Sequence, residues 1–108
     1  MLQQFFLLIM GHAVADFALQ SDWMAKAKNR NGWIEPTHMD DYVMWAYVLT
    51  AHALIHAAAV YVITGRMDLA LLEFVIHWIV DFGKCEGWFG FQVDQWLHIF
   101  AKILYLFL

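Results

Sequence analysis

The stretch that decides the fold is residues 69–84, LALLEFVIHWIVDFGK, in which Glu73, His77 and Asp81 interrupt an apolar run at intervals of four. Side chains four residues apart lie on the same face of an α-helix, one turn from each other. Lys84 follows three residues later and extends the same face. The run therefore predicts a helix that carries one polar stripe on an otherwise apolar surface.

The composition of the whole chain points to a membrane protein. Of its 108 residues, 63% are hydrophobic and only 15% are charged, whereas soluble domains are about 45–50% apolar and about 25% charged. A soluble domain of this length buries only about 60–65% of its unfolded surface, so much of the apolar surface would face water. The net charge of −4 argues against a nucleic-acid binder. The single cysteine, Cys85, excludes an intrachain disulfide and a thiolate metal cluster.

Four long apolar segments alternate with three polar connections and predict an all-α fold, a polytopic transmembrane four-helix bundle. Lipid offers no partners to unpaired backbone groups, so helices are the form in which such segments cross a membrane. A spanning helix needs about 17–25 residues, and the third segment is short enough to need its flanks or a tilt. The first connection predicts a short interfacial helix near residues 22–29. Residues 1–108 are expected to form a single transmembrane domain, with helices at about 2–20, 42–63, 69–84 and 91–108.

The charges of the connections predict the orientation of this bundle. Cytoplasmic loops carry an excess of lysine and arginine. The first and third connections carry four such residues and the second carries one, which places the first and third in the cytoplasm and both termini outside. Residues 13–15, AVA, resemble a signal-peptidase site, but no cation precedes the apolar run, so the first helix is expected to be retained. The cations are Lys26, Lys28, Arg30 and Lys84 against Arg66.

The spacing of four recurs in every predicted helix. Nine ionisable residues form five such pairs, where random placement would give about one. Ionisable groups are costly inside lipid, usually face a protein interior and mark function. The stripes are therefore expected to converge in a bundle interior that opens to the cytoplasm, whereas His38, in the first connection, is expected to be exposed. The nine residues are His12, Asp16, His52, His56, Glu73, His77, Asp81, Asp94 and His98.

Helical bundles build metal centres from imidazoles and carboxylates that project from facing helices. Because thiolates are lacking, the set favours a divalent transition metal, with Zn first and Mn or Fe as alternatives. Such a metal would lower the pKa of bound water and polarise a phosphoryl or carbonyl oxygen. Lys84 and Gln20 at the mouth, together with Asp94, are the predicted catalytic residues. The predicted ligands of one or two metals are His12, Asp16, His52, His56, His77, Asp81, Asp94 and His98.

The leading functional hypothesis is a metal-dependent hydrolase that acts on a lipid or a nucleotide-type phosphoester. One alternative is a proton- or metal-ion-conducting bundle, which Glu73 favours because it extends its stripe towards the opposite face. Another is a non-enzymatic membrane interaction protein in which the polar pairs only hold the helices together. The expected partners are the lipid bilayer and a small phosphorylated or lipid substrate, with no nucleic-acid polymer. The small residues 57–59, AAA, would also suit packing in a homo-oligomer.

The motifs resemble a family of small bacterial and phage membrane proteins catalogued as domain of unknown function 3307. The resemblance begins at His12-x3-Asp16, continues through Gln20 and residues 21–25, SDWMA, and includes three later motifs. It implies a polytopic protein of the bacterial inner membrane, in some cases phage-encoded, whose polar residues form the shared core. It implies no particular activity. The later motifs are HxxxH at residues 52–56, HxxxDxxK at 77–84 and DQxxH at 94–98.

Overall fold

The computed structural model describes residues 1–32 and 43–108, and these residues form an all-helical fold. Helix α1 spans Leu2–Ala13 and continues directly into a π-helical turn, Val14–Ala18. The short helix α2 follows at Asp22–Ala27. The remaining helices of the described ranges are α3 (Met44–Thr64), α4 (Met67–Cys85) and α5 (Phe91–Tyr105).

The prediction of an all-α fold is confirmed for the described residues. Each of the four long predicted helices has a counterpart, and α2 lies inside the segment predicted to form an interfacial helix. The predicted start of the second long helix, at residue 42, lies outside the described residues, as does His38.

Glycine and capping residues set the boundaries between the helices. At the start of α2, the Ser21 hydroxyl accepts a hydrogen bond from the backbone N–H of Met24 at 3.1 Å, which satisfies one of the free donors of a helix N-terminus. At the end of α3, Gly65 has a φ of +68°, a left-handed conformation that glycine adopts without steric cost. Only Gly65 and Arg66 separate α3 from α4, so these two helices form a tight antiparallel hairpin.

The four long helices enclose a common interior. The α3–α4 hairpin has the most extensive contact; α1 packs on α3 and α5, and α4 packs on α5. Near the α3–α4 turn the interior is apolar, and its buried residues are Leu8, Val60, Leu69, Ala101 and Tyr105. This apolar end closes one side of the bundle and leaves the polar stripes to fill the rest.

The interior holds many polar side chains, and the outside holds many large apolar ones. The largest fully buried side chains include Lys102, Glu73 and four of the histidines. In contrast, large apolar side chains cover the outside, with Leu2 and Val62 more than four-fifths exposed. Charged residues are almost never fully buried in soluble proteins unless they are paired. Other exposed apolar side chains are Phe6, Tyr47, Leu71, Phe100 and Phe107.

Helix length and composition do not by themselves establish the four predicted membrane spans. Among the described helices, only α3 is both long enough and apolar enough to cross a membrane. The apolar helix over Leu2–Ala18 is shorter than that criterion requires. Helix α4 has 19 residues but carries its polar stripe, and α5 has only 15 residues. The same buried stripe that marks the interior therefore lowers the apparent hydropathy of the helices that carry it.

We predict that Gly65→Ala destabilises the α3–α4 hairpin, since alanine in the left-handed region costs about 1–2 kcal/mol per residue. Gly90→Ala is the matched control, because Gly90 has a φ of −89° and a Cβ there would meet open space. Thermal unfolding in detergent, followed by circular dichroism, should show a lower midpoint for Gly65→Ala only. Equal midpoints for the two variants would contradict the assigned turn.

Candidate metal centre

Five imidazoles converge at the centre of the bundle, one from α1, two from α3 and one each from α4 and α5. The ring centroids of His56 and His77 lie 3.6 Å apart, and those of His77 and His98 lie 4.2 Å apart. His52 lies 5.0 Å from His77, and His12 lies 5.1 Å from His56. All five side chains are buried. The spacing of four thus brings the predicted stripes of different helices into one cluster.

Asp16 lies at the middle of this cluster, and each of its two carboxylate oxygens faces a different group. Oδ1 lies 3.0 Å from His56 Nε2 and 3.3 Å from His52 Nε2. Oδ2 lies 3.3 Å from His12 Nε2 and accepts a hydrogen bond from Gln95 Nε2 at 3.1 Å. The carboxylate therefore connects helices α3 and α5 through a single side chain.

A π-helical turn positions Asp16. The backbone N–H of Leu19 donates to the carbonyl of Val14, five residues earlier, at 2.9 Å. The side-chain amide of Gln20 then donates to the backbone carbonyl of Asp16 at 3.2 Å. Turns of this type are rare and are frequently found at functional sites. Here the turn occurs at the residue whose carboxylate contacts the most imidazoles.

Two buried lysines neutralise two of the four carboxylates of the cluster. Lys28, only 5% exposed, donates to Asp81 Oδ2 at 2.6 Å and to Gln20 Oε1 at 2.5 Å. Lys102 donates to Glu73 Oε1 at 2.7 Å, and the Tyr105 hydroxyl donates to Glu73 Oε2 at 2.6 Å. Such pairing is what allows a charged group to be buried. Asp81 and Glu73 each have a cation of their own.

Asp16 and Asp94 have no such cation within the described residues. Around Asp94, Gln95 Nε2 donates to Oδ2 at 3.0 Å, and His98 Nε2 lies 3.4 Å from Oδ1. Asp94 Oδ1 is buried and has no hydrogen-bond partner in the described structure. The four carboxylates and two lysines of the cluster thus leave two uncompensated negative charges, at Asp16 and Asp94, when the histidines are neutral.

Several imidazole nitrogens in the cluster also lack hydrogen-bond partners in the described structure. A buried polar group without a partner costs about 1–3 kcal/mol, and native structures contain few of them. These nitrogens are therefore available as donors to a cation. The atoms are both ring nitrogens of His52 and of His77, and Nδ1 of His12 and of His98.

The donor set fits a divalent transition metal. One donor atom each from Asp16, His52, His56 and His77 lies within 4.8 Å of the other three. The shortest N···O separations, 3.0 and 3.3 Å, approach the distance of about 3.4 Å between neighbouring ligands of a tetrahedral ion with bonds of about 2.0–2.1 Å. Glu73, His77 and His98 form a second grouping, but Lys102 already neutralises its carboxylate. The grouping around Asp16 is therefore the better cation site.

All eight predicted metal ligands lie in this cluster. Of the two residues predicted at its mouth, Gln20 lies there and Lys84 does not. Gln20 is in place, bonded to Lys28 and to the Asp16 backbone. Lys84 is not: its ammonium lies 5.3 Å from the centre of the Phe91 ring and forms no hydrogen bond or ion pair with the described residues. The lysine that contacts the cluster near Gln20 is Lys28, from the end of α2.

Lys28, Lys102 and Tyr105 are the residues of the cluster that sequence reasoning missed. Lys102 follows His98 by four residues, so the spacing rule would have placed it on the same stripe. Lys28 carries no comparable signal, because it lies in a charged connection and reaches Asp81 only through the tertiary fold. Tyr105 lies three residues beyond Lys102 among apolar neighbours. No pattern in the sequence predicts that its hydroxyl belongs to the cluster.

The segment that carries Lys28 is fixed to the end of α4 by exposed polar contacts. Arg30 forms a bidentate ion pair with Glu86, with Nη2 2.8 Å from Oε2, and Asn31 Nδ2 donates to the carbonyl of Cys85 at 3.2 Å. The hydrogen bond from Arg30 lowers the pKa of the Glu86 carboxyl. These contacts hold the segment beside Asp81, where Lys28 enters the interior.

Comparison with known proteins identifies the family. Residues 4–108 match the model of the family described as "Protein of unknown function (DUF3307)", so the chain belongs to that family. The membership of this family that the motifs predict is confirmed. No curated protein and no solved structure shows a significant match to the chain.

We predict that Lys102→Met alone destabilises the fold by about 3–5 kcal/mol, because Glu73 would remain buried without its cation. The double variant Glu73→Gln/Lys102→Met removes both charges and should recover much of that loss. Denaturant unfolding in detergent of the wild type, both single variants and the double variant measures the coupling energy. Additive effects of the two single variants would contradict the buried ion pair.

Proposed function

We propose that the protein is a polytopic membrane protein whose buried histidine–aspartate cluster binds a divalent transition metal, and that it hydrolyses a phosphoester. The observation that carries this proposal is that Asp16 and Asp94 have no cation among the described residues. Three imidazoles contact Asp16 and one contacts Asp94, and six imidazole nitrogens of the cluster have no hydrogen-bond partner in the described structure. A divalent cation would offset the two negative charges and give these nitrogens a partner. Zn²⁺ suits the imidazole–carboxylate set best, with Mn and Fe as alternatives.

The membrane location is supported by the apolar outer surface of the bundle and the polar cluster in its interior. Apolar side chains cover the outside of α1, α3, α4 and α5, and the charged groups face one another inside. A lipid environment favours this arrangement because it avoids the cost of apolar surface in water. On this proposal all four long helices cross the bilayer, with the shorter helices extended by flanking apolar residues or matched by local thinning.

The proposed location is the bacterial inner membrane, with both termini outside. Cytoplasmic connections are enriched in lysine and arginine, and Lys26, Arg30 and Lys84 lie on the connections assigned to that side. Lys28 belongs to the same connection but is buried in an ion pair. The orientation therefore depends on the three other cations against Arg66.

Substrate would reach the metal from the side of the cluster where the polar groups are partly exposed. Asp16, Gln20 and Gln95 are partly exposed, whereas the five imidazoles are buried. Gln20 and Lys28 lie next to each other at this edge. A phosphoester at the membrane surface, from a lipid or a nucleotide-type substrate, could present its phosphoryl group there.

In the proposed reaction, water attacks phosphorus, the bond from phosphorus to the leaving oxygen breaks, and the leaving group departs as an alcohol. When bound, the metal would supply Lewis acidity and lower the pKa of its water. Asp81 would accept the proton that the water loses, and Lys28, 2.6 Å away, would donate a proton to the leaving oxygen. After this step Asp81 is protonated and Lys28 is neutral. Transfer of the proton from Asp81 to Lys28 restores the carboxylate and the ammonium for the next turnover.

The two alternative functions receive less support from the geometry. A conducting bundle needs a polar path to both faces, but the path from Glu73 ends at Tyr105, which packs with Leu8 and Val60 in the apolar end. A purely structural stripe would be expected to satisfy its hydrogen bonds, whereas His52 and His77 have no partner at either ring nitrogen in the described structure.

We predict that the protein purified without chelators contains a transition metal and that His52→Ala/His56→Ala loses it. Plasma mass spectrometry of the detergent-solubilised protein measures the content, and circular dichroism checks that the variant folds. Asp68→Ala, which removes an exposed carboxylate that pairs with Arg66, is the matched control. A metal-free wild type, even after incubation with Zn²⁺ or Mn²⁺, would contradict the proposal.

We further predict that Lys28→Met lowers kcat for phosphoester hydrolysis by about 10²–10⁴-fold, the usual contribution of a general acid, while the metal content stays unchanged. Lys84→Met tests the competing assignment, in which Lys84 is the catalytic lysine at the mouth of the site. Lys26→Met, at an exposed residue of α2, is the control. Turnover of lipid and nucleotide phosphoesters in detergent micelles provides the measurement. A larger loss in Lys84→Met than in Lys28→Met would contradict the role given to Lys28.

A further inference from the structure

The side-chain amide of Gln95 lies between two carboxylates and one imidazole. Its Nε2 donates to Asp16 Oδ2 at 3.1 Å and to Asp94 Oδ2 at 3.0 Å. Its Oε1 lies 3.1 Å from His12 Nε2. A primary amide has two N–H donors and one carbonyl acceptor, so both donors and the acceptor of this side chain are engaged within the cluster.

The two carboxylates fix the orientation of the Gln95 amide. In the opposite orientation Oε1 would face two carboxylate oxygens, and none of these atoms can donate a hydrogen bond. Oε1 therefore faces His12 and accepts, which requires the proton of that imidazole to be on Nε2. The same proton faces Asp16 Oδ2 at 3.3 Å. In this arrangement His12 Nε2 has no lone pair to offer to a cation.

These contacts give the two oxygens of Asp16 different roles. Oδ2 faces the two N–H donors just described, whereas Oδ1 faces His52 and His56 at 3.3 and 3.0 Å. A carboxylate oxygen has about two lone-pair sites, so the donors at Oδ2 occupy both of them. The grouping of donors around Asp16 that could hold a metal includes neither His12 nor Asp94. Oδ1 is therefore the oxygen that is available to a cation.

We propose that Gln95 is a positioning residue of the metal site, which holds Asp16 Oδ2 and His12 Nε2 away from the ion so that Asp16 binds through Oδ1 alone. A carboxylate that binds through one oxygen takes one coordination position instead of two and leaves room for the water that the reaction consumes. Asp94 serves this arrangement by orienting the amide. The inference rests on the proposed metal-binding function and adds how its carboxylate ligand is set.

A purely structural role for Gln95 would be to tie α5 to α1 and the π-helical turn. Neighbouring residues of a helix do not normally face each other, so the bond from Gln95 to Asp94 requires the Gln95 side chain to turn towards the interior. Groups that orient a metal ligand typically change metal affinity by about 10–100-fold when they are removed. The two roles therefore differ in what happens to the bound ion and to the Asp16 carboxylate.

Zn²⁺ binding to Gln95→Met tests the proposal. Competition with a chelator of known affinity should show binding about 10–100-fold weaker than in the wild type, and unchanged binding in Gln92→Met, at an exposed residue of the same helix. Infrared difference spectra of Zn²⁺-loaded and metal-free protein, with ¹³C-labelled aspartate side chains, report how the carboxylate binds. The separation of its two stretching bands is larger for binding through one oxygen than through two, so it should narrow in Gln95→Met only.

Equal Zn²⁺ affinity and equal band separation in Gln95→Met and the wild type would overturn the role of Gln95 while leaving a metal-dependent function intact. A wild type that binds neither Zn²⁺ nor Mn²⁺ would overturn both proposals.

Hydrogen exchange in the metal-free wild type provides a measurement that does not depend on the folding of any variant. Nuclear magnetic resonance of ¹⁵N-labelled protein in detergent follows the side-chain amides of glutamine. Both amide protons of Gln95 should exchange about tenfold or more slowly than those of Gln92, because hydrogen bonds to carboxylates are among the strong ones. Equal exchange rates for the two side chains would overturn the proposal.

Discussion

The enclosure of four carboxylates, three of them buried and that of Asp16 about one-tenth exposed, inside a chain of 108 residues is the constraint on which the rest of this structure depends. A buried charge is tolerated only when it is paired and hydrogen-bonded. Lys28 and Lys102 meet that requirement for Asp81 and Glu73. Asp16 and Asp94 are surrounded by imidazoles instead. The helices are therefore arranged around a set of charges that the described residues compensate only in part, and that incomplete compensation is the basis of the proposed metal site.

The same constraint connects local structure with the position of each polar group. The π-helical turn at Val14–Ala18 places Asp16 among the histidines, and the tight turn at Gly65 aligns α3 with α4 so that His56 stacks on His77. The segment after α2 is fixed to the end of α4 by Arg30 and Glu86, and Lys28 enters the interior beside it. Each of these features lies in a different part of the chain, yet each places one side chain at the cluster.

The sequence predicted the helices and the stripe because both follow from local periodicity. His77 and Asp81, four residues apart, needed only the geometry of one helix to be placed on one face. The ion-pair partners of the lysines do not follow from local periodicity, because pairing between helices depends on the tertiary fold. Lys84 follows the spacing of its stripe, but it lies against Phe91, while Lys28, from a charged connection, contacts Asp81. The hydrogen bonding of each imidazole nitrogen also depends on side-chain packing. Sequence periodicity therefore does not predict which of these nitrogens lack partners.

The central claim is that a transition metal completes this cluster, and X-ray absorption spectroscopy of the purified protein tests it most directly. The spectrum at the metal edge reports the ligand atoms and their distances. The account predicts nitrogen and oxygen ligands at about 2.0–2.2 Å, together with the outer-shell scattering of several imidazoles, and it predicts that His52→Ala/His56→Ala gives no metal-edge signal. A spectrum without imidazole scattering, or one unchanged in that variant, would show that the metal is bound elsewhere and would contradict the account.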